Sequence, residues 1–247
     1  MPDVHAPQRC LVTALTQGLT RRLCGPEVLA HDPGDAMAKA ALMALAKRER
    51  GELLALLRGL DERQWATVSL CPGWTVRDVA VHVVSYDELG KLELASAFVR
   101  GGVRVDSVNQ FALRRYAQLD PDGVIDLVAR CQEPRGLTAA FGGGIALCDG
   151  TIHHQDIRRA LNLHRTIDQH QLRSVLDFAQ TAPTLPVRKN SRGLRLVATD
   201  VEWTSGSGPE VSGPGEAVLM ATAGRGQALA DLAGEGLTIL RERLAAS

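Results

Sequence analysis

Apolar residues return every three or four positions along residues 36–180, the spacing that aligns side chains on one face of a helix. The first helix is expected over residues 36–60. Its apolar positions are Ala38, Leu42, Leu45, Leu53, Leu56 and Leu60. Further helices are expected over residues 76–100, 105–133 with a break near 120–123, 145–161 and 168–180. Long helices joined by short turns predict a helical bundle.

After Pro186 the helical period gives way to the alternation that is typical of strands. Two short strands are expected, with a break between them at Asp200. Their apolar positions are Leu194, Leu196 and Ala198 in the first strand, and Val201 and Trp203 in the second. A helix is expected after Pro214, and a closing helix over residues 236–245. The pattern predicts a mainly α fold, in which the bundle is followed by a small α+β domain.

The same pattern divides the chain into three segments. Residues 1–33 are weakly patterned and are expected to be a peripheral N-terminal extension. The helical bundle is expected over residues 34–185, and the α+β domain over residues 190–247. The boundary falls in the polar stretch near residues 183–192, which we expect to be exposed.

Composition narrows the classes of function. The 247 residues carry 28 basic and 28 acidic side chains, so no general attraction to nucleic acid or to an anionic membrane is expected. No apolar run reaches the length of a transmembrane helix, and no signal peptide is expected. Five widely spaced cysteines without a CxxC motif predict a reducing, cytoplasmic location and no disulfide framework.

The stretch "CPGWTVRDVAVHV" predicts a tight turn that leads into a helix. Thr75 stands at the N-cap position with Asp78 three residues later, which is close to a capping box. On the apolar face of this helix lies His82. A polar ring at that position fits either a core histidine with a satisfied hydrogen bond or a ligand.

A second polar group is predicted on the helix that contains "CDGTIHHQDIRRAL". Asp149 and His153 are four residues apart and share one face, whereas His154 is rotated by about 100°. Asp156 could hold the His153 ring as a hydrogen-bond acceptor. If His82 faces the same interior, two imidazoles and one carboxylate form a three-ligand site with an open position, as in catalytic zinc centres. The alternative is that the spacing of Asp149 and His153 arose by chance and that the residues form no metal site.

Three neighbouring residues are expected to have structural roles. Trp74 is expected to close the end of the bundle as part of the core, rather than to stack on a substrate. Arg77 is expected to be solvated or to brace a turn. Cys148 is expected to behave as a small buried hydrophobe.

The stretches "LCPGWTVRDVAVHV" and "DGTIHHQDIRRAL" resemble the two signature stretches of the mycothiol-dependent maleylpyruvate isomerase family, within the wider DinB-like group of metalloproteins. The resemblance spans residues 36–247 and implies a DinB-like four-helix bundle with a small α+β C-terminal domain. It places the metal ligands at His82, Asp149 and His153. The family pattern has Glu where this chain has Asp149, whose side chain is one methylene shorter.

The resemblance also implies a chemistry. A divalent metal, with zinc expected, would activate the thiol of mycothiol, which adds to an electrophilic substrate in an isomerase or S-transferase reaction. Arg225, in the C-terminal stretch of the resemblance, is the expected cofactor-binding residue, and no catalytic residue is assigned. The expected partners are a small-molecule thiol and an electrophilic substrate. The protein itself is expected to be a monomer or a homodimer. A non-enzymatic ligand-binding module and a metal-dependent hydrolase remain alternatives.

Overall fold

The computed structural model describes residues 33–88 and 105–246. The predicted N-terminal extension therefore lies almost entirely outside the described residues. The helices are α1 (Pro33–Arg58), α2 (Glu62–Ala66), α3 (Val76–Ser85), α4 (Val105–Arg115), α5 (Pro121–Arg130), α6 (Gly144–Ala160), α7 (Gln169–Thr181), α8 (Val187–Ser191), α9 (Gly215–Thr222) and α10 (Leu237–Ala245). The strands are β1 (Arg195–Ala198), β2 (Trp203–Gly206) and β3 (Glu210–Gly213), and a 3₁₀ helix spans Gly226–Asp231.

The described residues form two compact units that divide between Arg165 and Thr166. The sequence places this division later, near residues 183–192. The two boundaries differ because α7 belongs to the C-terminal unit. Its apolar face packs against α9, and its Asp177 accepts a hydrogen bond from the Trp203 indole. Helical periodicity shows that a helix has an apolar face, but it does not show which neighbour covers that face.

In the helical unit, α1, α3, α5 and α6 pack against one another as a bundle, and α4 packs against α3. The core between them is aliphatic, and several of its side chains have no exposed surface. Among these are Leu57, Val76, Val79, Val84, Val124, Leu127 and Ile157. The break predicted near residues 120–123 is confirmed, because Asp120 caps α5 and Pro121 occupies its first turn. This packing fixes α3 and α6 side by side.

The start of α3 is as predicted, but its end is not. Thr75 and Asp78 form a capping box, in which each side chain bonds the backbone N–H of the other. The helix ends at Ser85, so the expected continuation to residue 100 is wrong at residues 86–88, and residues 89–104 lie outside the described part of the chain. The buried Asp87 explains the early end. Its carboxylate accepts hydrogen bonds from Arg50 and from the backbone N–H of Arg135.

The C-terminal unit contains a three-stranded sheet in the order β2-β1-β3. The strand β1 pairs antiparallel with β2 and parallel with β3, so the two predicted strands and the break at Asp200 are confirmed. The third strand was not predicted. It is only four residues long and has one fully buried apolar side chain, Val211, which is too little for an alternation to show.

The predicted fold class is confirmed: a mainly α helical bundle is followed by a small α+β unit. The helices predicted after Pro214 and near the C-terminus are present as α9 and α10. Among the described helices, none combines the length and the hydropathy that a membrane span requires.

Candidate metal centre

Three polar side chains converge from α3 and α6 inside the helical unit. His82 comes from α3, whereas Asp149 and His153 lie one turn apart on α6. Asp149 Oδ1 is 3.5 Å from His153 Nε2, and Asp149 Oδ2 is 3.9 Å from His82 Nε2. One ligand atom from each residue lies within 4.8 Å of those of the other two. The structure therefore brings together the three residues that the sequence selected as ligands.

These separations can be compared with those of a zinc site. Ligand atoms about 2.1 Å from a tetrahedral zinc ion lie about 3.4 Å from one another. The distance from Asp149 Oδ1 to His153 Nε2 is within about 0.1 Å of that value, and the distance from Asp149 Oδ2 to His82 Nε2 exceeds it by about 0.5 Å, so one carboxylate oxygen faces each imidazole. The shorter side chain of Asp149 therefore reaches both imidazoles. The donor set of two nitrogens and one carboxylate fits a divalent metal with an open position.

Asp156 sets the orientation of the His153 ring by contacting Nδ1, the ring nitrogen that does not face Asp149. His153 Nδ1 lies 2.9 Å from Asp156 Oδ2, and the Asp156 side chain has no exposed surface. Because a carboxylate oxygen accepts, the hydrogen-bond network assigns the proton to Nδ1. The Nε2 lone pair then points towards Asp149, which is the tautomer that a metal ligand requires.

The His82 ring is held by two aromatic neighbours. The Trp74 ring centroid lies 4.9 Å from that of His82, and Tyr86 meets His82 edge-on at 5.7 Å. The Tyr86 hydroxyl in turn donates a hydrogen bond to the Asn109 side-chain oxygen. Trp74 also stacks on His153 with centroids 6.4 Å apart. The tryptophan thus packs on the core, as predicted, and forms one wall of the candidate centre.

Burial differs among the three candidate ligands. The side chains of His82 and His153 are 2% and 9% exposed, whereas that of Asp149 is 17% exposed. The two imidazoles are therefore shielded from water, and the carboxylate lies on the side that solvent reaches.

One residue near the centre was not selected from the sequence. Cys71, in the turn before α3, is buried and lies 3.0 Å from Asp156 Oδ2 and 3.5 Å from His153 Nδ1. Pro72 and Gly73 identify a turn after it, but no pattern links this cysteine to α6. Only the packing of α3 against α6 brings the thiol there.

His154 points away from the centre, as its rotation on the helix predicts. Its Nε2 accepts a hydrogen bond from Arg158, and its Nδ1 lies 2.8 Å from Glu49 on α1. The side chain of Arg165 also donates to Glu49. Burial favours a raised pKa for Glu49, but the hydrogen bonds from Arg165 and His154 outweigh it and lower that pKa to about 2. These residues form a buried charged cluster that ties α6 to α1.

The remaining predicted residues are placed as follows. Arg77 braces a turn, because its guanidinium donates to the backbone carbonyls of Tyr116 and Leu119. Cys148 is fully buried, as expected of a small hydrophobe. Arg225 belongs to the C-terminal unit, where it is buried and donates to the Ala223 carbonyl. Its predicted role in cofactor binding stays a prediction.

Comparison with known proteins agrees with the resemblance in the sequence. Residues 46–141 match the family model of the mycothiol maleylpyruvate isomerase N-terminal domain. The resemblance to this family is therefore confirmed over a segment that contains the CPGW turn and His82 but ends before α6. No curated protein sequence matches the chain.

Two solved structures are similar to the chain. They are a mycothiol-dependent maleylpyruvate isomerase and a histidine-to-alanine mutant of a mycothiol-dependent maleylpyruvate isomerase. Each is 15% identical, with 81% of this chain and 92% of the other chain covered and a TM-score of 0.44.

Proposed function

We propose that this chain is a metal-dependent enzyme that uses mycothiol, a low-molecular-weight thiol, as cofactor or co-substrate in an isomerase or S-transferase reaction. The observation that carries the proposal is the convergence of His82, Asp149 and His153 from two helices. The matched segment, residues 46–141, supports the choice of mycothiol. Among the described residues, Cys71, Cys131 and Cys148 are not joined in disulfides, which supports a cytoplasmic location within this proposal.

A divalent metal, which we propose to be zinc, would lower the pKa of a bound thiol and so supply a thiolate nucleophile at neutral pH. The chain would hold the metal through His82 Nε2, His153 Nε2 and the Asp149 carboxylate. Asp156 keeps the His153 proton on Nδ1, and Trp74 and Tyr86 keep the His82 ring in place. Three protein ligands would leave one position of the metal free for the thiol.

The reaction then needs no thiol from the protein. When bound, mycothiol would supply a thiolate nucleophile for an electrophilic carbon of the substrate. An isomerase would release the thiol unchanged at the end of the reaction, whereas an S-transferase would leave it on the product. The role of the buried imidazoles is to hold the nucleophile in a water-poor site.

The proposal is tested by measuring turnover of maleylpyruvate and of other activated electrophiles by the zinc-loaded protein, with and without mycothiol. We expect turnover that requires mycothiol and is lost in His82→Ala. Turnover without any thiol would favour a hydrolase. Tight metal and thiol binding without turnover would favour a ligand-binding module, which the replacement of Glu by Asp149 also supports.

Restoring the longer side chain tests Asp149 as a ligand. Asp149→Glu is expected to keep or tighten zinc binding, whereas the uncharged Asp149→Asn should weaken it by about 10-fold or more, because a charged donor is lost. The measurement is the zinc dissociation constant from competition with a chelator. Equal dissociation constants for wild type and Asp149→Asn would show that Asp149 is not a ligand.

Arg225 gives a separate prediction for the cofactor. Arg225→Ala is expected to weaken mycothiol binding by about 10-fold, the loss of one charge-assisted hydrogen bond, while the zinc content stays at the wild-type level. Binding can be measured by calorimetry on the zinc-loaded protein. The surface variant Arg195→Ala is a control, since Arg195 is half exposed. Unchanged affinity in Arg225→Ala would show that this residue does not bind mycothiol.

A further inference from the structure

A cysteine contacts the same Asp156 oxygen that orients His153. Cys71 Sγ is 3.0 Å from Asp156 Oδ2, and the same oxygen is 2.9 Å from His153 Nδ1. Cys71 is 4% exposed and Asp156 is 0% exposed, so water is excluded from this contact. A thiol beside a buried carboxylate oxygen donates, because the carboxylate can only accept.

We infer that Cys71 is a positioning residue, which acts on His153 through Asp156. This inference rests on the proposed function, in which His153 is a metal ligand. A carboxylate on a single Cβ–Cγ bond can rotate, and a second donor to the same oxygen restricts that rotation. The thiol supplies a second donor to the same oxygen and holds Oδ2 where His153 Nδ1 needs it.

The turn that carries Cys71 is itself fixed to α6. The Cys71 backbone N–H donates to Ser69 Oγ at 3.1 Å, and Ser69 Oγ donates to the Trp74 carbonyl at 2.9 Å. The Leu70 backbone N–H donates to the Asp156 carbonyl at 3.3 Å. Both the side chain and the backbone of Asp156 are therefore bonded to this turn. The thiol is placed by a rigid element, as precise orientation of a ligand requires.

Cys131 offers a matched control within the same hydrophobic core cluster. It is also a free cysteine and is 5% exposed, but no contact with the His153–Asp156 pair is found for it among the described residues. Truncating either cysteine to alanine removes one sulfur atom from the core. Any difference between the two variants therefore reports the hydrogen bond of Cys71 rather than the loss of packing.

The first test is the zinc dissociation constant, measured by chelator competition in a double-mutant cycle. Asp156→Asn is expected to raise it by about 10- to 100-fold, and Cys71→Ala by roughly 3- to 10-fold. Cys71→Ser should lie closer to wild type, and Cys131→Ala should match wild type. The double variant should bind zinc no more weakly than Asp156→Asn alone, because Cys71 acts through Asp156. Independent, multiplying effects would overturn the inference.

The second test needs no metal. In ¹⁵N–¹H spectra of the metal-free protein, His153 is expected as the Nδ1–H tautomer in the wild type and in Cys131→Ala, and as a mixture of tautomers in Cys71→Ala. An unchanged tautomer in Cys71→Ala would overturn the inference. If the wild type binds no zinc, the proposed function fails, while this spectrum still decides the role of Cys71.

Cys71 could instead bind a metal directly, since one atom each of Cys71, His153 and Asp156 lie within 4.8 Å of one another. Cobalt substitution separates the two roles. A positioning thiol gives no intense thiolate-to-cobalt charge-transfer band. A band of this kind that disappears in Cys71→Ala would make Cys71 a ligand and would overturn the inference.

Discussion

Zinc is expected to stabilise the metal-free wild-type protein strongly and to have no effect on His82→Ala. A ligand that binds only the folded state stabilises it by about 4 kcal/mol when its free concentration is 1,000 times the dissociation constant. His82 is one of three candidate ligands and is 2% exposed, so its truncation to alanine removes a ligand from a water-poor position. The measurement is the free energy of unfolding in urea, with and without zinc.

His170→Ala is the control for this experiment, because His170 is an exposed histidine of the C-terminal unit. It should respond to zinc as the wild type does. Equal stabilisation of His82→Ala and wild type would show that zinc binds elsewhere. No stabilisation of the wild type would show that the three residues do not form a metal site under these conditions, which contradicts the proposed function.

Glu49→Gln is expected to destabilise the helical unit by about 3 to 5 kcal/mol, because it removes the buried charge partner of Arg165 and leaves only the more exposed Glu52. The Glu49 side chain is 1% exposed and that of Arg165 is 6% exposed. The control is Glu52→Gln. Glu52 also pairs with Arg165, but its side chain is 45% exposed, so its loss should cost less than about 1 kcal/mol.

The pair of Glu49 and Arg165 also predicts that the free energy of unfolding depends on pH. The folded-state pKa of Glu49 is about 2, below the ordinary value of 4.5. The stabilising effect is therefore complete above pH 4.5 and is lost as the pH falls from 4.5 towards 2. Urea unfolding of wild type and Glu49→Gln between pH 3 and pH 7 should show their difference shrinking towards acid. A difference that stays constant over this range would contradict the assignment of a charged Glu49.

Local chemistry in the sequence predicted the parts of the site that lie close together along the chain. The capping box of Thr75 and Asp78 starts α3 at the predicted residue and so sets the direction of His82. The four-residue spacing of Asp149 and His153 was enough to place them on one face of α6. These features depend on helix geometry, which is the same in every protein.

The contacts that support the site could not be predicted in this way, because they join distant parts of the chain. Cys71 and Asp156 are separated by 85 positions, and Glu49 and His154 by 105. The early end of α3 has the same origin, since Asp87 is bonded by Arg50, 37 positions earlier. Such pairs form only when the helices of the bundle pack together, and no pattern of residue types along the chain predicts them.

The most direct test of the proposed metal centre is anomalous diffraction at the zinc edge from crystals of protein purified without chelator. We expect one peak per chain, about 2.1 Å from His82 Nε2, His153 Nε2 and an Asp149 oxygen. A peak bound by other residues, or no peak in crystals soaked with zinc, would contradict it.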